Sequence, residues 1–234
     1  MADRNNPVVL DTARAEWAAD GLTTDQSSGL KVLRQTYQLL AMTLLFSAAV
    51  AVTAMTLGLP RPGLLVTLGG FFGLLFLTQY LRNSAWGLVS VFALTGFMGY
   101  TLGPILALYS GLPNGSQIIA TAFGTTAIAF VGLSIYARSA KTPDMMKFGS
   151  FLTIGILTAF VLGLVAFFFQ MPALSLAVSG LFVLLMCGLI MWQTQAIVNG
   201  GETNYIITTV TLFVSIYNLF TSLLHLLGFM GGDD

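Results

Sequence analysis

The chain has 234 residues, of which 56% are apolar and only 8% charged, and its formal net charge is zero. Soluble domains carry about 25% charged residues, so this composition excludes an ordinary soluble domain, and the lack of a basic tract argues against nucleic acid as a partner. One cysteine, Cys187, excludes an internal disulfide, and one histidine, His225, falls short of the three or four ligands that zinc wants, so neither metal nor cofactor is expected.

Residues 1–36 form a polar, mixed-charge tail. Leu10, Ala13, Trp17 and Leu22 could line the apolar edge of a short surface helix, but Ser27-Ser28-Gly29 and scattered aspartates favour a loose tail. The first apolar run starts only at residue 37 and is longer than the roughly 7–15 residues of a signal-peptide core, so no secretory signal is expected. No charge lies between Tyr37 and Pro60, Asn83 and Ala137, Phe148 and Gly201, or Thr203 and Gly232. Apolar stretches of that length read as membrane spans. Seven follow in order: Tyr37–Leu59, Leu64–Leu81, Trp86–Tyr109, Ile118–Ala137, Phe148–Phe169, Ala173–Val198 and Tyr205–Met230. Residues 37–230 are thus an all-α integral membrane domain in the lipid bilayer, and 231–234 a short C-terminus. Pro60-Arg61-Pro62-Gly63, the run Gly111 to Gly115, Pro143, Pro172 and Gly200-Gly201 supply the turns. Connections this short make sequential helices antiparallel.

Two segments carry small faces. The second has Gly63, Thr67 and Gly70; the third has Gly96, Gly99 and Gly103 at spacings 3 and 4, followed by Pro104. Missing side chains there admit a neighbouring helix, and Pro104 removes a backbone hydrogen bond, so packing or a hinge is the expected role. Segments one to three and four to six make two blocks of similar length, which leaves a duplicated unit open. In segment six, Gln193, Thr194, Gln195 and Asn199 crowd one end, and Gln193 is placed to bond the last segment near Thr211 or Ser215.

The last segment carries the strongest pattern. Asn204, Thr208, Thr211, Ser215, Asn218, Ser222 and His225 are spaced 4, 3, 4, 3, 4, 3, with apolar residues nearly everywhere between. On a helix all seven share one face and run over about 31 Å, roughly the hydrocarbon thickness. Lipid cannot satisfy hydroxyls and amides, so the stripe is expected to face other helices or water, with this helix in the middle of the molecule.

Arg4, Arg14, Lys31, Arg34, Arg82, Arg138, Lys141 and Lys147 fall on one side of such a bundle and only Arg61 on the other. That bias predicts a cytoplasmic N-terminus and an outer C-terminus. Within the spans there is no Asp, Glu, Lys or Arg to relay protons, which argues against a pump or carboxylate-driven antiporter. A passive cation path along the stripe stays open. Glu202 is the only acid near its inner mouth, where it favours the helix dipole or attracts a cation. Ser179 and His225 should lie at similar depth, about 8–9 Å below the outer end. Ala177-Val178-Ser179-Gly180 partly resembles a rhomboid-type serine motif, but it lacks the first glycine and any donor loop for an oxyanion hole, so no catalysis is expected.

Three stretches together resemble the Bax inhibitor-1 family: the run Thr95 to Leu106, the run Gly200 to Ile206, and the run Ser215 to Leu224. The resemblance covers the chain from about Lys31 to the end. It implies a seven-helix bundle whose last helix is surrounded by the other six. It also implies one of two activities: restraint of a membrane-anchored AAA protease of the FtsH type with its partner complex, or a pH-sensitive leak of calcium or other cations. The leak relies on two aspartates, and the matching positions here are Gln193 and Ser215, neither of which titrates. The implied location is a bacterial inner membrane.

Overall fold

The computed structural model describes residues 7–139 and 143–231, with side chains from Gly29 onward. Arg4, Lys141, Asp233, Asp234 and the side chains of Leu10, Ala13, Arg14, Trp17 and Leu22 lie outside what is described. Seven helices follow one another: α1 Pro7–Thr56, α2 Leu64–Leu81, α3 Trp86–Ser110, α4 Gly115–Ala137, α5 Gly149–Phe168, α6 Pro172–Val198 and α7 Tyr205–Met230, with a 3-10 turn, Met145–Phe148, leading into α5. Each contains a stretch long and apolar enough to span a membrane. In hydrocarbon a helix satisfies its own backbone, which is why the apolar runs fold this way.

Helix ends follow local chemistry. After α1, Gly58 takes φ 60°, its N–H bonds the Met55 carbonyl (3.2 Å) and the Leu59 N–H bonds that of Ala54 (3.0 Å). This is the Schellman arrangement that glycine favours just past a helix. Gly200, at φ 72°, repeats it after α6, with Gly200 to Ile197 (3.1 Å) and Gly201 to Ala196 (2.9 Å). Pro172 occupies the first turn of α6, where its missing N–H costs nothing.

The first helix differs from the expectation. The helix continues back to Pro7 where a loose tail was expected, and among the residues with described side chains its apolar stretch runs Gly29–Thr56. Lys31 and Arg34 ended the charge-free stretch, but both are good helix formers, and charge does not stop a backbone helix. Residues 7–28 amount to about 33 Å of helix at 1.5 Å per residue. Gly29 lies against the end of α6: a β-carbon added there would lie 2.9 Å from the Ile197 carbonyl oxygen and 3.4 Å from that of Val198.

In each block the third helix carries the other two. α3 packs on α1 and α2, and α6 packs on α4 and α5, while α2 and α5 stay at the periphery. α7 packs closely on four helices, α1, α3, α4 and α6, not on six as the resemblance implied. The gap between α2 and α5 is bridged by the Phe72 and Phe160 rings, with centroids 5.9 Å apart and planes at 86°. The core sits between α3, α6 and α7, around Leu94, Met186, Ile190, Leu212, Phe213 and Leu219. No residue of α7 from Tyr205 to Gly228 is exposed, whereas every other helix turns large apolar side chains outward, among them Leu45, Leu65, Trp86, Phe123, Phe151 and Leu184.

Candidate functional site

The seven polar residues assigned to α7 lie on one side of it but divide into two columns, each with a spacing of seven. Thr208, Ser215 and Ser222 are buried; Asn204, Thr211, Asn218 and His225 are half-buried. A 4-3 spacing places alternate members on adjacent rows of the helix surface, so one row meets neighbouring helices and the next is partly open.

Their hydrogen bonds close mostly on their own helix. Thr208 Oγ1 donates to the Asn204 carbonyl (2.9 Å), Thr211 Oγ1 to Ile207 (3.0 Å), Ser215 Oγ to Thr211 (2.7 Å) and Asn218 Nδ2 to Val214 (2.8 Å). A short polar side chain in a helix reaches the carbonyl four residues back, and in an apolar bundle that bond removes the need for a partner helix. Among the described residues no hydrogen bond joins Gln193 to Thr211 or Ser215. Gln193 and Ser215 are both buried, and Ser215 spends its proton on Thr211 instead.

Asn204 acts at the helix start. Its Oδ1 accepts from the N–H groups of Ile206 (3.1 Å) and Ile207 (3.3 Å), capping α7. Its Nδ2 donates to the Arg82 carbonyl (3.2 Å) and to Asn83 Oδ1 (3.0 Å), tying α7 to the α2–α3 turn. Glu202 accepts the Asn204 N–H at 3.1 Å, so its carboxylate sits just before the positive end of the helix. At the other end, Ser179 Oγ and His225 Nδ1 are 2.8 Å apart and join α6 to α7. Ser179 Oγ also lies 3.0 Å from the Ser175 carbonyl. With its one proton directed there, His225 Nδ1 is the donor, a tautomer assigned from the bonding pattern. A general base would instead accept the serine proton.

Gly96, Gly99 and Gly103 lie where α1 crosses α3. A β-carbon on Gly96 would meet the Phe46 ring, one on Gly99 the Ser47 carbonyl, and one on Gly103 the Ala54 β-carbon at 2.6 Å. Pro104 is buried within α3 and does not interrupt it. The α2 face differs: at Gly70 the added carbon would meet the Phe97 ring, while at Gly63 there is open space.

Sequence reasoning missed two features at the end of the bundle where α1 enters. Gln195, read only as one of several polar residues, clamps the α4–α5 connection. Its Oε1 accepts from the Met145 N–H (2.8 Å) and its Nε2 donates to the Pro143 carbonyl (3.0 Å). The signal available was Pro143, whose carbonyl lies in a loop without a helical partner. Removing a buried partner of two such bonds costs about 1–3 kcal/mol. Gln195→Leu is therefore expected to lower the melting temperature and to speed limited proteolysis within 138–148, leaving the other connections as resistant as before. The second feature is a set of buried polar atoms without a hydrogen-bond partner among the described residues: Thr36 Oγ1, Tyr37 Oη, Ser134 Oγ, Trp192 Nε1 and Thr194 Oγ1. The Arg138 guanidinium lies 5.1 Å over the Tyr37 ring beside them. Among the described residues no group of three or more His, Cys, Asp or Glu gathers to hold a metal.

The family model described as Inhibitor of apoptosis-promoting Bax1 matches residues 30–232. A Pseudomonas aeruginosa protein is 52% identical over 219 residues, covering 94% of this chain and 98% of its own. Escherichia coli YccA, whose name is Modulator of FtsH protease YccA, is 48% identical over 204 residues, covering 87% of this chain and 92% of its own. A Vibrio cholerae membrane protein is 41% identical over 205 residues, with the same two coverages, 87% and 92%. Their lengths match this chain nearly from end to end, and the matched region holds all seven apolar spans. This chain belongs to the Bax inhibitor-1 family of membrane proteins.

Proposed function

We propose that this protein modulates a membrane-anchored AAA protease of the FtsH type by direct contact in the bacterial inner membrane. The observation that carries the reading is the 48% identity to a protein named as a modulator of that protease. The distribution of charge supports a cytoplasmic N-terminus: Lys31, Arg34, Arg82, Arg138 and Lys147 fall at the end where α1 enters, and Arg61 at the other. The extension of α1 beyond Gly29 is the handle for the protease. It continues α1 past the point where Gly29 meets the end of α6, and backbone propensity by itself gives a helix little stability, so an ATPase unwinds it readily. Engagement of this helix occupies the protease and limits its access to other membrane substrates.

Deleting residues 2–28 is the test. The shortened protein should persist longer than the full chain in cells that contain the protease and should no longer copurify with it. An equal half-life for both forms, together with undiminished copurification, refutes the handle. A cation leak along α7 is the weaker reading. Neither Gln193 nor Ser215 titrates, and Thr208, Ser215 and Ser222 are packed away from the half-buried column.

A further inference from the structure

At the Arg61 end of the bundle a cavity of about 380 Å³ opens between α2 and α5. Arg61, Leu64, Thr101, Ile105, Phe167 and Tyr217 line it. Its volume is at the small end of the range for ligand sites, about 300–1,000 Å³. The Phe72–Phe160 pair closes the same gap deeper in the membrane, roughly 10–12 Å along α2 and α5 at 1.5 Å per residue. The cavity thus has an aromatic floor towards the membrane centre, a wall on α7, and a side that faces lipid. Around its mouth Leu65, Val66 and Phe168 are 85%, 61% and 68% exposed, which makes them lipid-facing in a spanning protein.

The polar inventory is specific. Thr101 Oγ1 donates to the Met98 carbonyl at 2.7 Å. Its oxygen is 3.0 Å from Tyr217 Oη, so Tyr217 supplies the proton of that bond. Both hydroxyl protons at the inner wall are therefore used. The remaining donors are at the mouth. Arg61 is exposed and has no carboxylate partner among the described residues. The first turn of α2 is preceded by Gly63, which has no side chain to cap it, so the N–H groups of that turn have no acceptor within the helix. The donors sit at headgroup level, and the walls below, Leu64, Ile105 and Phe167, are apolar.

We propose that this cavity binds an anionic phospholipid from the leaflet at the Arg61 end. Its phosphate meets the Arg61 guanidinium and the first-turn amides of α2, and the upper part of one acyl chain lies between Ile105 and Phe167. Charge complementarity selects an anionic head, because the exposed Arg61 guanidinium is the one Lys or Arg at this end among the residues with described side chains. The apolar walls select a chain, because free phosphate would leave them uncovered. Tyr217 places the bound lipid directly against α7.

The test is native mass spectrometry of the detergent-purified full chain, titrated separately with phosphatidylglycerol, phosphatidylcholine and inorganic phosphate. Phosphatidylglycerol should be retained at about tenfold lower concentration than phosphatidylcholine, the scale of one charge-assisted hydrogen bond. Arg61→Gln, a change at an exposed side chain, should abolish that preference. Ile105→Trp, which fills the cavity, should lower retention of both lipids, and phosphate alone should give no adduct. Circular dichroism should show unchanged helicity for both variants. Equal retention of the two lipids by the parent protein, or phosphatidylglycerol retention unaffected by both substitutions, overturns the proposal. Phosphate binding that depends on Arg61, without any gain from an acyl chain, reduces the site to an anion site and overturns it as well.

Discussion

Replacing Gly99 with leucine is expected to separate α1 from α3 and to lower the melting temperature in detergent by roughly 6–12 °C. Gly132→Leu should leave it unchanged or slightly higher. The two glycines differ only in what surrounds them. A β-carbon on Gly99 falls on the Ser47 carbonyl, which is fixed by the backbone of α1, and Ser47 Oγ is 2.9 Å away. One turn along, Gly103 is equally enclosed by the Ala54 β-carbon at 2.6 Å and the Ala51 carbonyl at 2.8 Å. Nothing lies within 4 Å of the corresponding point at Gly132, which is exposed on α4. Helices in lipid gain nothing from hiding apolar surface from water, so close approach and the dispersion it brings hold this crossing. Overpacking a fitted interface costs about 1–3 kcal/mol. A leucine against backbone atoms belongs at or above the top of that range, and for a chain of this size about 3 kcal/mol corresponds to roughly 6–12 °C. At Gly132 the new side chain enters acyl chains, and losing a glycine gains up to about 1 kcal/mol of helix propensity. Equal melting of the two variants would mean that α1 does not lie on the glycine face of α3.

Gly99 also shows how far the sequence could be read. Spacing of 3 and 4 among small residues announces that a helix approaches closely, because that information is local. Which helix approaches is not local, and nothing in the run Thr95 to Pro104 names α1. The same boundary appears in α7. The polar spacing identified the helix with no exposed face, but not the number of its neighbours: four pack closely, while α2 and α5 stand off and leave the gap that holds the cavity. It also could not show whether each hydroxyl would bond across the bundle or back to its own helix, since both leave the same pattern of letters. The start of α1 was misplaced because absence of charge marks membrane depth, not helix length, and Lys31 and Arg34 sit comfortably in a helix. Gln195 was visible only as a polar residue near a helix end. Its role depends on Pro143 and Met145, some fifty positions away, being folded against it.

Phe213→Ala is expected to destabilise the protein by about 3–5 kcal/mol, and Phe123→Ala by less than about 0.5 kcal/mol, when both are unfolded by added denaturing detergent. Phe213 on α7 is 1% exposed, inside the cluster with Leu94, Met186 and Ile190; Phe123 on α4 is 67% exposed. Both sit in apolar surroundings, so transfer from water does not separate them. What separates them is the refilling of the space. An acyl chain flows into the place of the Phe123 ring and restores its contacts, while the space left by Phe213 is bounded by side chains in fixed rotamers and stays unfilled, losing those contacts outright. The comparison therefore measures whether lipid reaches α7. If Phe213→Ala were as mild as Phe123→Ala, acyl chains would have access to the helix that carries Thr208, Ser215 and Ser222. The back-bonding of Thr208 and Ser215 to Asn204 and Thr211 would then have to be understood as shelter from oil rather than as packing against neighbours. A large difference means that α7 is held by the surrounding helices along its length, so a lipid seated against Tyr217 at one end, or a protein pulling on α1 beside α6 at the other, acts on a single packed body.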